Sequence, residues 1–230
     1  MTDLRVEILE TPDDVATRGA EILLATAVAA VAASGECRLA LSGGSTPWRM
    51  LDALASEPMP WAETSIYQVD ERVAPDGDAS RNLTQLLAVL GDAGKAASIH
   101  AMDVTADDLD LAATSYAAAL PDSFDLVHLG LGADGHTASL VPADAVLDVR
   151  DRLVAATAEY KGQRRLTLTY PALERARLVL WLVTGEDKRE AVERLVARDP
   201  AIPAGRVEAP RQLLLADEAA AAGLTQGLSR

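Results

Sequence analysis

The stretch Arg38-Leu39-Ala40-Leu41-Ser42-Gly43-Gly44-Ser45-Thr46-Pro47-Trp48-Arg49-Met50-Leu51-Asp52-Ala53-Leu54 passes from a short apolar run, through a turn of glycines and hydroxyls, into a helical pattern. Residues 38–41 read as a strand and residues 46–54 as a helix. A strand that feeds a helix through a tight turn is the building unit of parallel sheets. The turn is equipped for an anion. Gly43 and Gly44 let backbone N–H groups approach a ligand, Ser42, Ser45 and Thr46 add hydroxyls, and the helix that follows adds the positive end of its dipole. No Gly-Lys-Ser/Thr follows, so it is not a Walker loop. Gly43-Gly44-Ser45-Thr46-Pro47 also lacks the final glycine of a nucleophile elbow. The plainer reading is a connector in which Thr46 caps the helix and Pro47 takes its first position.

The same rhythm extends in both directions. Apolar, often β-branched runs at 65–69, 126–131, 166–169, 178–183 and 213–215 read as further strands, and most are separated by helical patterns at 81–90, 107–120 and 186–197. Upstream, Thr11-Pro12-Asp13-Asp14 starts a helix that runs to about residue 33 and stops at Gly35, with Thr11 as cap and two acids facing the positive dipole end. The expected fold is α/β: an open, mostly parallel, Rossmann-like sheet with helices on both faces. No Gly/Ser linker, charge block or internal repeat interrupts the chain, so residues 1–230 are expected to form a single domain. In such sheets ligands bind beyond the carboxyl ends of the strands, which directs attention to the residues just after each strand.

Composition narrows the function. Hydrophobic residues make up 49% and charged residues 24% of 230, ordinary for a globular chain able to bury its own core. Lys and Arg number 21 against 35 Asp and Glu, a net charge of −14 that repels phosphate backbones and anionic headgroups; nucleic acid and membrane partners are not expected. Aromatic residues at 3% leave little for base stacking. The apolar stretch 22–33 is too short for a bilayer span and reads as a buried or half-buried helix. A single cysteine, Cys37, and an N-terminus without a basic region followed by an apolar stretch point to the cytoplasm. No Cys/His cluster has zinc-ligand spacing, so neither metal nor cofactor is expected.

Two more segments stand at strand ends. Val69-Asp70-Glu71-Arg72, followed by Ser80-Arg81-Asn82, sets carboxylates beside an arginine, a combination suited to sugar hydroxyls and a phosphate, or else a solvated loop whose charges pair with one another. Asp125-Leu126-Val127-His128-Leu129-Gly130-Leu131-Gly132-Ala133-Asp134-Gly135-His136-Thr137-Ala138-Ser139-Leu140-Val141-Pro142 contains the spacing of a dinucleotide fingerprint. Pro142 arrives too soon for the long helix that fingerprint requires. The glycine turn instead presents Asp134 and His136 two positions apart, a pair able to draw a proton from water, the carboxylate orienting the imidazole. His128, within an apolar run, reads as a hydrogen-bonded core residue, and His100 has no partner in sequence. Arg165 precedes a strand. Lys188 falls in a helix's first turn, where the dipole disfavours it unless an anion is near or Glu186 or Asp187 pairs with it.

Taken in order, Ser42-Gly43-Gly44-Ser45-Thr46-Pro47, Asp70-Glu71-Arg72, Asp134-Gly135-His136-Thr137-Ala138-Ser139-Leu140, Arg165-Leu166-Thr167-Leu168-Thr169 and Gly185 with Lys188 resemble the 6-phosphogluconolactonase family, over residues 41–191. The related glucosamine-6-phosphate deaminases share the first loop and an Asp-Gly-His segment, but there an acidic residue follows in a Phe-Asn-Glu-Pro-like stretch; residues 137–142 here contain no carboxylate. Val141, where Phe is usual, and Arg81, where a small or acidic residue is common, depart from the family pattern. The resemblance implies metal-free hydrolysis of 6-phospho-D-glucono-1,5-lactone in the oxidative pentose phosphate pathway. His136 would be the general base and Asp134 its orienting partner. Ser42, Gly43, Gly44, Ser45, Thr46, Asp70, Arg72, Arg165 and Lys188 would bind the sugar phosphate, and backbone N–H groups of the glycine turns are candidate oxyanion donors. A monomer is the favoured oligomeric state. The alternatives are amino-sugar phosphate isomerase or deaminase chemistry, or a sugar-phosphate-sensing regulatory domain, which would need a helix-turn-helix and a basic face, both missing from the sequence.

Overall fold

A computed structural model describes residues 3–226. Seven strands form one parallel sheet in the order β1-β10-β9-β6-β2-β3-β5, built from β1 (Asp3–Leu9), β2 (Cys37–Leu41), β3 (Thr64–Gln68), β5 (Ser98–His100), β6 (Leu126–Leu129), β9 (Val179–Val183) and β10 (Arg211–Asp217). A second, antiparallel sheet in the order β4-β8-β7 is made of β4 (Asp70–Arg72), β7 (Val154–Ala156) and β8 (Arg165–Leu168). The α/β sheet covered by helices is as the sequence implies, with one correction. The run at 166–169 belongs to the small antiparallel sheet, where β8 pairs with β4 on one side and β7 on the other. Val69 is where the chain changes sheets: its N–H donates to the Leu41 carbonyl of the large sheet, and its carbonyl accepts from Leu168 N of the small one.

Side chains alternate across the strands, and both faces are buried. Leu39, Leu41, Ile66, Leu126, Leu180, Leu182 and Leu215 share one core with α1 (Pro12–Ser34) and α2 (Ser45–Ala55). Ala40, Val127, Leu129, Val179, Trp181 and Leu214 face the other, in the core shared with α4 (Leu109–Ala118), the single turn α5 (Tyr170–Leu173), α6 (Arg189–Val196) and α7 (Glu218–Gln226). Burial on both sides is why these strands read as unbroken apolar runs. The start of α1 is a capping box: Asp14 N donates to Thr11 Oγ1 at 3.2 Å and Thr11 N to Asp14 Oδ2 at 3.0 Å, and Gly35 closes the helix in the left-handed region. By length and composition α1 would suit a membrane span, but its inner face, including Val15, Leu23 and Ala27, packs on the sheet. The pattern at 81–90 forms α3 (Asn82–Ala96), whose regular geometry breaks at Gly91, just past the expected end.

Chain order reverses between β2 and β6. From β2 the chain moves outward through β3 to β5, then returns to β2's other side with β6 and continues to β9 and β10. The loops after β2 and β6 therefore diverge from neighbouring strands and leave a crevice, the usual ligand position in sheets of this kind.

Candidate active site

That crevice is a cleft of about 310 Å³. One wall consists of strand ends: residues 42–47 after β2, Gly130, Leu131, Gly132, His136 and Ala138 after β6, and Val183, Thr184 and Lys188 after β9. The facing wall is the small sheet and its neighbours, with Asp70 and Arg72 of β4, Arg165 of β8, Tyr160, Lys161, and Asn82 at the start of α3.

The β6 turn is folded around its histidine. Gly132 N donates to the His136 carbonyl at 2.8 Å and Gly135 N to the Gly132 carbonyl at 2.9 Å. These two N–H groups are spent inside the turn, so they are not the oxyanion donors the sequence suggested. The ring lies so close to Gly132 that a Cβ there would sit 2.0 Å from His136 Nδ1, which only glycine avoids. Asp134 Oδ1 is 2.5 Å from His136 Nδ1 and also accepts the His136 backbone N–H at 3.2 Å. Asp134 Oδ2 accepts from Tyr160 Oη at 2.9 Å. Burial acts to raise the Asp134 pKa, but the hydrogen bonds and charge of His136, with Tyr160, outweigh it and hold the pKa at about 2. The carboxylate stays ionised, engages Nδ1 and leaves Nε2 as the imidazole's second proton-transfer site. Beyond the turn, Ala138 is held at φ 51°, a conformation non-glycine residues adopt at a cost.

Around the β2 turn the plain-connector reading is corrected. The helix begins at Ser45, its N-cap Gly44 makes no side-chain bond, and the Thr46 hydroxyl is paired with that of Thr184 at 2.9 Å. The first N–H groups of α2 thus have no side-chain cap at the cleft wall, where an anion would complete them. Gly43 is pressed against Asn82, whose Oδ1 would lie 2.0 Å from a Cβ at that position. Asn82 in turn donates Nδ2 to the Asp70 carbonyl at 2.9 Å, tying the glycine loop to β4.

On the facing wall, buried Asp70 accepts from Ser139 Oγ at 2.6 Å. Desolvation pushes its pKa up, opposed by the Ser139 bond and by Arg72 and Arg165. Arg165 is also buried, its pKa lowered by desolvation, and its Nε has no hydrogen-bond partner among the described residues. Arg72 donates to the Ser80 carbonyl, and Lys188 pairs with Asp187 at 2.9 Å while lining the cleft. Glu71 does not line the cleft. Fully buried, it accepts from Asn82 N and Leu83 N, each at 2.8 Å, supplying the negative charge at the start of α3. Among the described lining residues Asp70 alone is acidic, against Arg72, Lys161, Arg165 and Lys188, so an anion is favoured locally on a chain of net charge −14.

The structure brings every anticipated binding residue to the cleft wall, with Asp134 reaching it through His136. Tyr160 and Lys161 were missed; the one available signal was Lys161-Gly162 as a two-residue hairpin turn before the run at 166–169. His128 is core, as expected, but neither ring nitrogen makes a hydrogen bond of ordinary geometry, because β6 lies in the middle of the sheet among apolar neighbours and the polar group that acts on the ring is the Ser42 backbone. Burial pushes its pKa down to about 4, with the Ser42 backbone opposing. Cys37, also buried, has its thiol pushed up to about 12 and is no nucleophile. Val141 and Arg81, the two departures from the family pattern, lie outside the lining: Val141 in the core, Arg81 paired with Glu71 and Asp76. No group of three or more His, Cys, Asp or Glu suited to a metal ion occurs among the described residues.

Comparison with known proteins places this geometry. The 6-phosphogluconolactonase of Nostoc sp. is 34% identical over 236 aligned residues, covering 96% of this chain and 98% of that protein. That of Synechocystis sp. is 39% identical over 180 residues, covering 73% and 75%. The crystal structure of 6-phosphogluconolactonase from Thermotoga maritima superposes with a TM-score of 0.84 at 26% identity, covering 94% of this chain and all of that one. Residues 10–216 match the family described as glucosamine-6-phosphate isomerases/6-phosphogluconolactonase, and the chain belongs to that family.

Proposed function

We propose that this cleft hydrolyses 6-phospho-D-glucono-1,5-lactone to 6-phosphogluconate, the lactonase step of the oxidative pentose phosphate pathway, with the whole chain acting as one domain. The observation that carries the reading is the Asp134–His136 pair at 2.5 Å, opposite a wall of cations. The 6-phosphate is held by Arg72, Arg165 and Lys188 together with the β2 turn, residues 42–46, through charge-assisted hydrogen bonds. Asp70 faces the sugar hydroxyls. His136 takes a proton from water as the water oxygen bonds to the lactone carbonyl carbon. The tetrahedral intermediate collapses by breaking the bond to the ring oxygen, which receives that proton back from His136, and the new acid then ionises. Asp134 keeps the imidazole in one tautomer and stabilises the transient imidazolium.

The reading calls for no covalent intermediate, metal, cofactor, nucleic acid or membrane. It implies a monomeric enzyme in the cytoplasm, where a lone thiol such as Cys37 stays reduced. The decisive measurement is loss of freshly prepared 6-phosphogluconolactone, corrected for its spontaneous hydrolysis. Absence of catalysed loss, or release of ammonia from glucosamine 6-phosphate instead, would overturn the assignment.

A further inference from the structure

We propose that Tyr160 is a positioning residue that holds the catalytic pair and the phosphate clamp in one arrangement; the proposal rests on the reading just given. Tyr160 stands at the base of the turn between β7 and β8. Lys161 and Gly162 both have positive φ, 52° and 81°, and Tyr160 and Gln163 exchange backbone hydrogen bonds of 3.0 and 3.3 Å. That is a two-residue mirror-image hairpin turn, whose twist matches that of its strands. The tyrosine is therefore carried by a hairpin rather than by a free loop.

Its side chain crosses the cleft. The hydroxyl donates to Asp134 Oδ2 at 2.9 Å, while Oδ1 of the same carboxylate engages His136. With a partner on each oxygen, Asp134 cannot swing away from the imidazole, though its side chain is 40% exposed. The tyrosine ring meets the His136 ring at 63° with centroids 5.7 Å apart. Arg165 Cζ lies 4.9 Å and Lys161 Nζ 5.0 Å from the tyrosine ring centroid, within cation–π range. One side chain thus touches the base, its carboxylate and two cations of the facing wall. The hydroxyl and the ring have separable duties: the first fixes the geometry of proton transfer, the second supports the guanidinium that grips phosphate.

Tyr160→Phe and Tyr160→Leu separate them, assayed with 6-phosphogluconolactone and with unphosphorylated glucono-1,5-lactone. Tyr160→Phe is expected to lower kcat about tenfold on both lactones with KM for the phospholactone within about twofold of wild type. Tyr160→Leu should show the same kcat loss and, on the phospholactone alone, a KM raised about tenfold. Wild-type kcat in Tyr160→Phe, a loss confined to KM, or equal KM changes on both lactones in Tyr160→Leu would each overturn the proposal. Should the leucine variant fail to fold, the near-isosteric phenylalanine variant decides the hydroxyl's part, and Tyr160→Met, which keeps the bulk without an aromatic face, decides the ring's. Full turnover in His136→Ala would overturn the reading of the site and this inference together; loss of turnover there with a silent Tyr160→Phe would overturn the inference alone.

Discussion

The wall built from the ends of β2, β6 and β9 and the wall built from β4, β8 and their hairpin differ in what they present to the cleft. The first offers backbone turns, one imidazole and Lys188; the second offers buried charge, Asp70 and Arg165 among it. The contrast follows from the sheets. Strands of the large sheet are buried on both faces, so their side chains are apolar and polar groups appear only where the strands end. The short antiparallel strands carry Asp70, Arg72 and Arg165 within the strands themselves. The two carboxylates of the site mirror the division. Asp134 has its pKa held down at about 2, and Asp70, deeper, has its pKa raised by desolvation. Proton transfer is assigned to the first wall, and anchoring to the second together with the β2 turn and Lys188 of the first.

The largest effect expected is on the first wall. His136→Ala should lower turnover by roughly two to four orders of magnitude, as loss of a general base does, and by the same factor on phosphorylated and unphosphorylated lactone. Near-wild-type turnover would break the division. Next come the phosphate-binding cations, Arg165 and Arg72 on the second wall and Lys188 on the first. Replacing Arg165, Arg72 or Lys188 with a neutral residue removes charge-assisted hydrogen bonds worth about 1.5 to 3 kcal/mol, or roughly ten- to hundredfold in kcat/KM for the phospholactone. Glucono-1,5-lactone lacks the anchor, and it should be both a far poorer substrate and almost indifferent to these changes. Equal losses on both substrates would mean that the cations serve the fold or the chemistry and not the phosphate.

The first wall was legible in the sequence because its signals are local. Thr11-Pro12 and Gly35 bound α1, apolar runs mark the central strands, and glycines set apart the turns at 42–45 and 130–136. On the second wall Asp70, Arg72 and Arg165 were legible, but the sheet that carries them was not. β4 and β7 have three residues each and β8 four, too short for any periodicity, and their pairing is fixed by contacts far apart in sequence, such as Asp70 with Thr167. The hairpin that delivers Tyr160 depends on Val154–Ala156 being a strand, which three small residues do not announce. β1 was missed as well: it lies at the sheet edge, with Val6 and Ile8 exposed and the charged Arg5 and Glu7 interleaved with them. The sequence left the role of Glu71 open beside Asp70; register turns alternate residues to opposite faces, and Glu71 faces α3.

A smaller effect lies under the first wall. His128, in β6 and paired in register with Leu41, is neutral in the fold because burial pushes its pKa down to about 4. The unfolded chain protonates this residue near its ordinary value of 6.5. The folded pKa is the lower one, so stability is intact above about 6.5 and is lost as pH falls toward 4. Between pH 7 and pH 5 the loss is about 2 kcal/mol. Urea unfolding at the two pH values measures it, with His128→Leu as the reference in which this share disappears. An unchanged pH dependence in His128→Leu would show that the ring is accommodated in its charged form, contrary to its buried setting.

The smallest effect belongs to Asp134 alone, and it tests the division at its most specific point. If Asp134 remains ionised with a pKa of about 2, its carboxylate takes up no proton above roughly pH 4. The carboxylate's contribution to orienting the imidazole is fully present above its unperturbed pKa of 3.8 and is lost only as pH falls through about 2. On glucono-1,5-lactone, which leaves the phosphate contacts out of account, Asp134→Asn should therefore cost the same factor in kcat/KM at every pH above roughly 4. A cost that shrinks as pH falls toward 4 would mean that the carboxylate takes up its proton in that range, as it would if Asp134 were free to turn from His136. Tyr160→Phe gives the same measurement a second use. Removing the hydroxyl donor from Oδ2 lets the carboxylate pKa rise, so any loss of the carboxylate's contribution should appear first in that variant, and at the acid extreme of the curve.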